Sequence, residues 1–524
     1  MFTVYMEKKK IRSFTFSFII YFLLQYKFVN DAWFGTDELD IMALGKGIAH
    51  GQLLYRDALS QHMPFSYYIS AFFDYIGFKT VDEQRLAFYF IIALLWAFVY
   101  VNYCRIINKY VLFFSPIFFC CTLQSIDMGT EILSEHLAGC GAMILLLEYL
   151  AFSQNKELKL INYFSLSIAV VLTFGTIFIA IYSLFFIATG VLLLELKWKR
   201  EEQESLHIWL LNMIKKYVGL VVTVAVPWAV LILYYVYTGT FKEFVFGAYT
   251  LNRKYYANYL GGMGSNIFSM FFEPLNAFFS FFTNIISYNQ LSYFSVVQLL
   301  LVISSIYYIF KIWKDNKKIE AVTIFLFTYS LGIRGIFLFH GTACVEILTF
   351  MFADVLFNDV IINKSCLLAS KKRKQVFVCI IFAFLFSGYL NNISEIACIK
   401  IDDEQMNYEA KVLNAITDEN EGIWTFAFCN DLMMLANRYP EVTYPTTPWT
   451  WQAYEKRFKK DKKKAGRVLI YSPDFEVWGH RQADYAPELA KYVNKEYTQF
   501  EDTYIYIRKD YYEEAINIVD SIDK

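Results

Sequence analysis

About eleven apolar segments recur along the chain, and most are long enough for one helix to cross a lipid bilayer. They are 13–30, 86–104, 110–124, 137–153, 160–175, 176–195, 217–237, 292–311, 319–337, 344–362 and 375–392. A crossing takes about 20 mostly apolar residues, and only a helix or a closed barrel satisfies its own backbone polar groups in lipid. Hydrophobic residues make up 57% of the 524 residues, more than is typical of soluble domains. The sequence therefore predicts an α-helical, multi-pass membrane protein with about eleven transmembrane helices.

Basic residues set the predicted orientation, because Lys and Arg are enriched in cytoplasmic loops. Basic clusters at 8–10 and 371–374 precede the first and last segments. They place the N-terminus in the cytoplasm and the tail after 391 outside the cell. The alternation holds only if the apolar stretches 65–78 and 267–287 do not cross, so both are predicted to be interfacial helices on the outer side. The first segment lacks a small-residue cleavage pattern and is predicted to stay as a signal anchor.

Composition changes sharply where the tail begins. The tail, 391–524, alternates short apolar runs, such as Val468 to Tyr471, with charged helical stretches. This alternation predicts a small extracytoplasmic α/β domain after a membrane domain, 1–390. Cys398 and Cys429 fall in the tail, and either one disulfide or two free thiols fits the sequence.

An acidic group, Asp37, Glu38 and Asp40, follows the first apolar segment. Carboxylates at a membrane edge are functional candidates because they are costly to keep there. One interpretation is helix capping, since acids in a first turn accept hydrogen bonds from free N–H groups and suit the helix dipole. The other is catalysis, with Asp37 as a general base and Glu38 as a supporting acid. Both interpretations can hold at once.

A second acidic group, Asp127, Glu131 and Glu135, has a spacing of four residues. On a helix this spacing would bring the three carboxylates to one face, where like charges repel. The group is either a solvated helix end or a second wall of an acidic cavity. A divalent metal site is a weaker alternative, because no complete ligand cluster accompanies the acids.

Five cationic or ionisable side chains are predicted on or near the outer face. They are Arg56, Arg253, Lys254, Arg334 and His340. Arg334 lies within an apolar segment, and a buried Arg requires an anionic partner. That partner is either a carboxylate, such as Glu346 or a member of the acidic groups, or a phosphate. The many Tyr and Trp of the outer segments form either an interfacial belt or platforms for sugar rings and isoprenoid chains.

The first outer loop, 31–85, carries a recognisable order of motifs. It begins with Thr36-Asp37-Glu38, continues with Gly51-Gln52-Leu53-Leu54-Tyr55-Arg56-Asp57, and then reaches His62-Met63-Pro64 before the apolar stretch. This order resembles the C-type membrane glycosyltransferases, in the branch with protein mannosyltransferases and lipid A aminoarabinose transferases. The segment Asp127 to Glu135 is similar to their second acidic loop, and Arg334 to His340 is similar to a late Arg-to-His segment. The resemblance extends in layout over 13–345.

The resemblance implies a polyisoprenyl-phosphate-linked sugar donor and inverting transfer to a glycan, lipid or protein acceptor outside the cell. It matches Asp37 to the family's first-loop acid and so supports Asp37 as the base with Glu38 in support. Electrostatics assigns the donor phosphate to Arg253 or Arg334, assisted by Lys254 or His340, because fixed cations at a low-dielectric edge stabilise the charge of the leaving phosphate. Arg56 is the next phosphate candidate, and Tyr55, Asp57 and His62 would support the first loop. Low Pro and high Lys, Ile and Asn contents favour a bacterial plasma membrane.

Two other functions stay open at the level of sequence. A polysaccharide polymerase or ligase also uses lipid-linked sugars, but it would depend on Arg and His in a large late loop. A transporter or flippase of lipid-linked precursors would carry paired charges at mid-bilayer and internal repeats, and the sequence shows no repeat. The net charge of −1 gives no field that favours nucleic acid.

Overall fold

The computed structural model describes most of the chain. The described residues are 2–31, 36–126, 129–131, 134–156, 158–256, 272, 293–337, 339–362, 371–390, 404–426, 430–444, 447–477 and 479–521. Predictions for Asp127, for the Cys398 and Cys429 thiols, and for nearly all of the segment 267–287 fall outside these residues.

Helices dominate the chain up to residue 390. They are α1 (Phe2–Asp31), α2 (Thr36–Ala49), α3 (Phe65–Tyr75), α4 (Val81–Tyr103), α5 (Lys109–Thr122), α6 (Ser134–Asn155), α7 (Leu160–Phe174), α8 (Ile181–Glu201), α9 (Leu206–Tyr237), α10 (Phe241–Val245), a π-helix (Phe246–Tyr256), α11 (Tyr293–Lys314), α12 (Lys318–Leu331), α13 (Thr342–Asp354), a second π-helix (Val355–Ile362) and α14 (Lys371–Leu390). Each predicted apolar segment overlaps one of these helices.

Among the described residues, six helices are long and apolar enough to cross a membrane. They are Val81–Tyr103, Ser134–Asn155, Phe178–Glu201, Leu206–Tyr237, Ser295–Lys314 and Arg373–Leu390. A multi-pass helical membrane protein is thereby confirmed, while the count of eleven spans and their orientation stay predictions. The helix α3 has 11 residues, about 16 Å at 1.5 Å per residue, which is too short for a crossing.

The chain divides into two compact units. Unit 1 comprises Met1–Ala32, Phe88–Leu231 and Met270–Ile396, and unit 2 comprises Trp33–Ala87, Ile232–Ser269 and Ala397–Lys524. Unit 2 therefore contains both the first predicted outer loop and the tail. Independent folding of the tail alone stays a prediction.

Helix α6 lies at the centre of unit 1. Its residues from Ser134 to Phe152 are all buried, as expected for a helix that is apolar on every side. It packs against α7 and α13. Gly141 permits the approach of α7, because a Cβ at that position would lie 2.7 Å from the carbonyl oxygen of Ala169. Small residues at such positions let membrane helices pack closely.

The tail part of unit 2 alternates strands and helices. In chain order it contains α15 (Glu404–Ile416), β1 (Ile423–Phe426), α16 (Asp431–Leu435), β2 (Pro440–Thr443), α17 (Pro448–Asp461), β3 (Val468–Tyr471), β4 (Glu476–Val477), β5 (His480–Arg481), α18 (Gln482–Tyr485), α19 (Pro487–Glu496), β6 (Tyr497–Gln499), β7 (Ile505–Arg508) and α20 (Tyr512–Asp520). The predicted small C-terminal α/β region is confirmed.

Five of these strands form one mixed sheet in the order β2-β1-β3-β7-β6. Strand β1 pairs in parallel with β2 and β3, whereas β7 runs antiparallel to β3 and β6. Successive side chains of a strand point to opposite faces, so Leu469 and Ile470 belong to different buried clusters. The cluster of Leu469 also contains Leu59 and Leu251. Residues from the first loop and from the first π-helix are therefore part of the core of this sheet.

Candidate functional site

The acidic group lies at the start of α2, where Glu38 forms a buried ion pair with Arg85. The guanidinium of Arg85 donates from Nε to Oε1 of Glu38 at 2.8 Å and from Nη2 to Oε2 at 2.5 Å. Both side chains have no exposed surface. Because each carboxylate oxygen accepts a bond from the same planar group, the pair fixes the first turn of α2. The ion pair with Arg85 gives Glu38 a structural role, which is to hold the other acids at the start of α2 in place.

Asp40, one turn into α2, ends a chain of hydrogen bonds. The hydroxyl of Ser60 donates to the hydroxyl oxygen of Tyr67 at 2.7 Å, and Tyr67 donates to Oδ2 of Asp40 at 3.1 Å. The side-chain amide of Asn430 donates to Oδ1 at 3.4 Å. Burial, together with repulsion from Asp37, raises the pKa of Asp40 to about 7, and the bond from Tyr67 opposes that rise. Asp40 therefore holds a proton over part of the neutral range.

Asp37 is half-buried at the first turn of α2. Within the described residues its carboxylate makes no hydrogen bond and no ion pair, in contrast to Glu38 and Asp40. Its charge is nevertheless felt by Asp40. Of the three acids, Asp37 is thus the one whose carboxylate oxygens have no partner among the described residues.

The residues predicted to support the first loop, Tyr55, Asp57 and His62, lie in a compact turn. Tyr55 is buried with φ of 68°, and its hydroxyl donates to the backbone carbonyl of His62 at 2.7 Å. The carboxylate of Asp57 accepts the backbone N–H of Leu53 at 3.0 Å and pairs with the half-exposed Arg56 at 2.8 Å. These contacts stabilise the loop that leads to Ser60 and α3.

In unit 1, one pocket brings two members of the predicted cationic group together with one member of the second acidic group. Nδ1 of His340 lies 3.1 Å from Oε1 of Glu135, and Arg334 lines the same pocket. The remaining lining is apolar and comprises Ile177, Ile179, Ala180, Leu331 and Ala343. We call this the cation pocket. Apolar walls reduce solvent screening, so Arg334 would attract a nearby anion strongly while Glu135 would repel it.

The second acidic group does not form the helical face that its spacing predicts. Helix α6 begins at Ser134, so Glu135 lies in its first turn while Glu131 lies before the helix in a bend. Glu131 is fully buried. The interpretation as one helical face is wrong for these two residues, because Glu131 lies outside the helix that contains Glu135.

The two predicted cations of the loop at 253–254 are exposed. They lie near the end of the first π-helix, where the guanidinium of Arg253 donates to the hydroxyl of Tyr249 at 2.5 Å. The ammonium of Lys254 lies 5.7 Å from the ring centre of Tyr255. Both cations therefore contact aromatic side chains of their own helix.

The described residues do not fit a metal centre. No three His, Cys, Asp or Glu side chains among them are grouped for a metal ion. Within the acidic group, both oxygens of Glu38 already bind Arg85, which leaves Asp37 and Asp40 as ligands.

Sequence reasoning missed Arg85, Tyr67, Ser60 and Asn430 as members of the acid site. The position of Arg85 could have predicted its pairing, because a cation directly before an apolar segment requires an anionic partner. Tyr67 is a polar-tipped residue on the apolar helix α3. Nothing in the sequence around Asn430 distinguishes it, because its neighbour Asp40 is 390 residues away.

The described chain is thus a helical membrane protein with a small α/β region and an acid site at the start of one short helix. No family model and no curated protein sequence matches it. It is similar to the structure of ArnT from Cupriavidus metallidurans bound to undecaprenyl phosphate, with a TM-score of 0.46 and 10% identity over 87% of this chain and 92% of that one.

It is also similar to the oligosaccharyltransferase AglB from Archaeoglobus fulgidus in complex with an inhibitory peptide and a dolichol-phosphate. That TM-score is 0.46, with 11% identity over 87% of this chain and 69% of that one. A structure of the Archaeoglobus fulgidus oligosaccharyltransferase with Zn and sulfate gives 0.45, with 12% identity over 87% and 67%. ArnT and AglB are C-type glycosyltransferases.

Proposed function

We propose that the protein is a membrane glycosyltransferase that moves a hexosyl or pentosyl group from a polyisoprenyl phosphate to a hydroxyl-bearing acceptor on the outer face of the membrane. The observation that carries the proposal is the state of the acidic group. Glu38 is neutralised by Arg85, Asp40 is hydrogen-bonded and has a raised pKa, and the carboxylate of Asp37 has no partner among the residues that the structure describes.

In the proposed reaction Asp37 takes the proton of the acceptor hydroxyl. The acceptor oxygen forms a bond to the anomeric carbon while the bond from that carbon to the phosphate oxygen breaks, and the electron pair leaves on the lipid phosphate. A single displacement of this kind inverts the anomeric configuration. A base contributes typically 10²- to 10⁴-fold when it lies within hydrogen-bond reach of the proton. Asp37 is held for that task by the neighbouring buried ion pair.

The leaving phosphate gains negative charge, and we propose that Arg334 and His340 of the cation pocket stabilise it. Fixed cations in a poorly solvated site stabilise developing charge more than exposed ones do. The guanidinium of Arg334 can donate two parallel bonds to a phosphate, and Glu135 orients the imidazole of His340. The exposed Arg253, with Lys254 beside it, is the second candidate, and Arg56 is the third.

The topology in this proposal has the N-terminus in the cytoplasm, about eleven spans, and the acid site with the tail outside the cell. The acceptor is a glycan, a lipid or a protein. The basic clusters at 8–10 and 371–374 support this orientation.

The test is transfer of labelled sugar from a synthetic polyisoprenyl-phosphate donor by purified Asp37→Asn. We expect transfer to fall by at least a hundredfold, in keeping with the loss of a general base, with a thermal unfolding temperature near that of the wild type. Asp82→Asn is the matched control, because Asp82 is an exposed acid in the first turn of α4. Wild-type transfer by Asp37→Asn would refute the assignment, and movement of intact donor across the bilayer without transfer would favour a flippase.

A further inference from the structure

A segment of the tail, 430–441, runs along one side of α2. We call it the clasp. Its contacts follow the chain in order: Asn430 with Asp40, Met434 with Leu39, Met42 and Ala43, Asn437 with Lys46, Tyr439 with His50, and Glu441 with Gln52. All of them lie within unit 2.

The contacted positions of α2 share one face. Residues 40, 43 and 46 are separated by three positions, the spacing of neighbours on a helical surface, and His50 follows directly after the end of α2. The clasp and α2 therefore run in the same direction, with Asn430 at the acid end. At the far end the rings of His50 and Tyr439 are stacked at 4.3 Å.

Asn430 differs from the other clasp residues because its side chain has one hydrogen-bond partner among the described residues, the Asp40 carboxylate of the acid site, whereas its backbone carbonyl accepts the N–H of Met434. Its side chain is 2% exposed. Its amide nitrogen donates to Asp40, and its side-chain carbonyl oxygen has no partner in the described chain. A buried amide that is half satisfied costs stability, and an apolar residue of similar size would pack more favourably. Its presence indicates a role at the acid site rather than in the tail's own core.

We propose that Asn430 is a positioning residue of the acid site, through which the tail holds the Asp40 carboxylate in place and controls its ionisation. The inference rests on the proposed function for its meaning in catalysis. Tyr67 contacts Oδ2 and Asn430 contacts Oδ1, so donors from two separate elements fix both oxygens. By this reasoning the α/β tail contributes a positioning residue to the transferase site.

Other ionisable groups surround the same carboxyl group. They are Asp37 on α2 and Tyr67 on α3, which act on Asp40 directly; the elements packed against it also carry Arg85, paired with Glu38, and Asp431, next to Asn430 in the chain. Of these, Asp37 disfavours the ionised form of Asp40 and the bond from Tyr67 favours it. The amide of Asn430 adds a second donor, which favours the ionised form because hydrogen bonds to a charged oxygen stabilise it.

The experiment follows the carboxyl infrared band of Asp40 against pH, identified as the difference between the wild type and Asp40→Asn. In Asn430→Leu the donor is lost, so the midpoint of this titration should rise by about one pH unit, as expected for one hydrogen bond to a charged group. The acid limb of the transfer rate should move by the same amount. Asn430→Asp, which keeps the size of the side chain, should raise the midpoint as well and serves if Asn430→Leu does not fold.

The matched control is Tyr439→Leu, which weakens the clasp at its far end without touching the acids. We expect it to lower thermal stability and leave the midpoint unchanged. An unchanged midpoint in both Asn430 variants would overturn the proposal, as would an equal shift in Tyr439→Leu. The infrared midpoint of Asp40 is measured without sugar transfer. A failure of the proposal for Asn430 can therefore be distinguished from a failure of Asp37 as the base.

Discussion

Arg85 and Glu38 form a two-bond ion pair between fully buried side chains, 47 residues apart in the chain. Removing one member takes away the two-bond ionic partner of the other buried charge, and breaking a buried pair in this way costs about 3–5 kcal/mol. We predict that Arg85→Ala and Glu38→Gln each lower the free energy of unfolding by an amount near that range. Thermal or denaturant unfolding of the detergent-solubilised protein measures it.

Two controls accompany this prediction, one in the same ion pair and one in an exposed ion pair. The double variant Glu38→Met with Arg85→Met should recover much of the loss, because apolar residues can replace a buried pair at little cost. Arg56→Ala breaks the half-exposed pair with Asp57 and should cost about 1 kcal/mol or less. A large loss for Arg56→Ala, with a small one for Arg85→Ala, would contradict the structural role given to Glu38.

Asp40 makes the stability of the protein depend on pH in a defined direction. Its pKa is raised from the ordinary value of 3.8 to about 7, first by burial and then by Asp37. Between these values the folded state binds more protons than the unfolded state, so stability from this group is fully present below about pH 4 and falls as pH rises to about 7. The slope is at most about 1.4 kcal/mol per pH unit.

We therefore predict that Asp40→Asn is more stable than the wild type above pH 7 and loses that advantage toward pH 4. Asp57→Asn is a control of opposite sign. Although burial opposes the shift, hydrogen bonds from Arg56 and from the backbone of Leu53 hold the pKa of Asp57 below its ordinary value. Its stabilisation is present at neutral pH and is lost as pH falls. Parallel pH profiles for the two variants would refute this explanation.

Arg334 and Arg253 belong to two alternative phosphate sites, and substitutions at these residues distinguish between the sites. Arg334 lines the pocket with His340 and Glu135, while Arg253 is exposed beside Tyr249. We predict that Arg334→Lys weakens binding of undecaprenyl phosphate about tenfold, roughly 1.4 kcal/mol, because an ammonium lacks the planar two-bond geometry of a guanidinium. Arg253→Lys should bind the same lipid phosphate like the wild type.

Binding of the lipid phosphate and turnover of the sugar donor are measured separately for these variants. His340→Gln tests the neighbouring imidazole in the same assay. Wild-type binding and turnover by both Arg variants would place the phosphate elsewhere, with Arg56 as the next position to test.

Much of the fold was predictable because the signal is local. Each apolar segment predicts one helix from its own residues alone. In the same way the run Val468 to Tyr471 predicts strand β3. The limits of α6 were less predictable. The regular spacing of Glu131 and Glu135 resembles a helix, but the chain bends before Ser134.

The members of the candidate site were easier to predict than their partners. Asp37, Glu135, Arg334 and His340 stand out by charge in or beside apolar sequence. Their pairings join distant positions, such as His340 and Glu135, 205 residues apart. Hydropathy patterns carry no information at that separation, so the contact of His340 with Glu135 and the contact of Asn430 with Asp40 could be found only in the folded chain.

Gly45 allows α2, which carries the acids, to pack tightly on α3. A Cβ at this position would lie 2.3 Å from the hydroxyl oxygen of Ser70 and 2.9 Å from the backbone nitrogen of Ala71. Ser70 cannot simply move aside, because it is buried and donates to Gln84 at 2.6 Å. Any added atom must therefore push the two helices apart.

We predict that Gly45→Ala destabilises unit 2 by about 1–3 kcal/mol, the cost of overpacking, despite the gain of about 1 kcal/mol that Ala brings to a helix. Transfer should fall as well, because Tyr67 on α3 would no longer reach Asp40 on α2. Gly466→Ala is the control, since a Cβ there meets only the carbonyl oxygen of Val468, at 3.9 Å. If Gly45→Ala unfolded at or above the wild-type temperature with full activity, the close packing of α2 on α3 could not be what positions the acids.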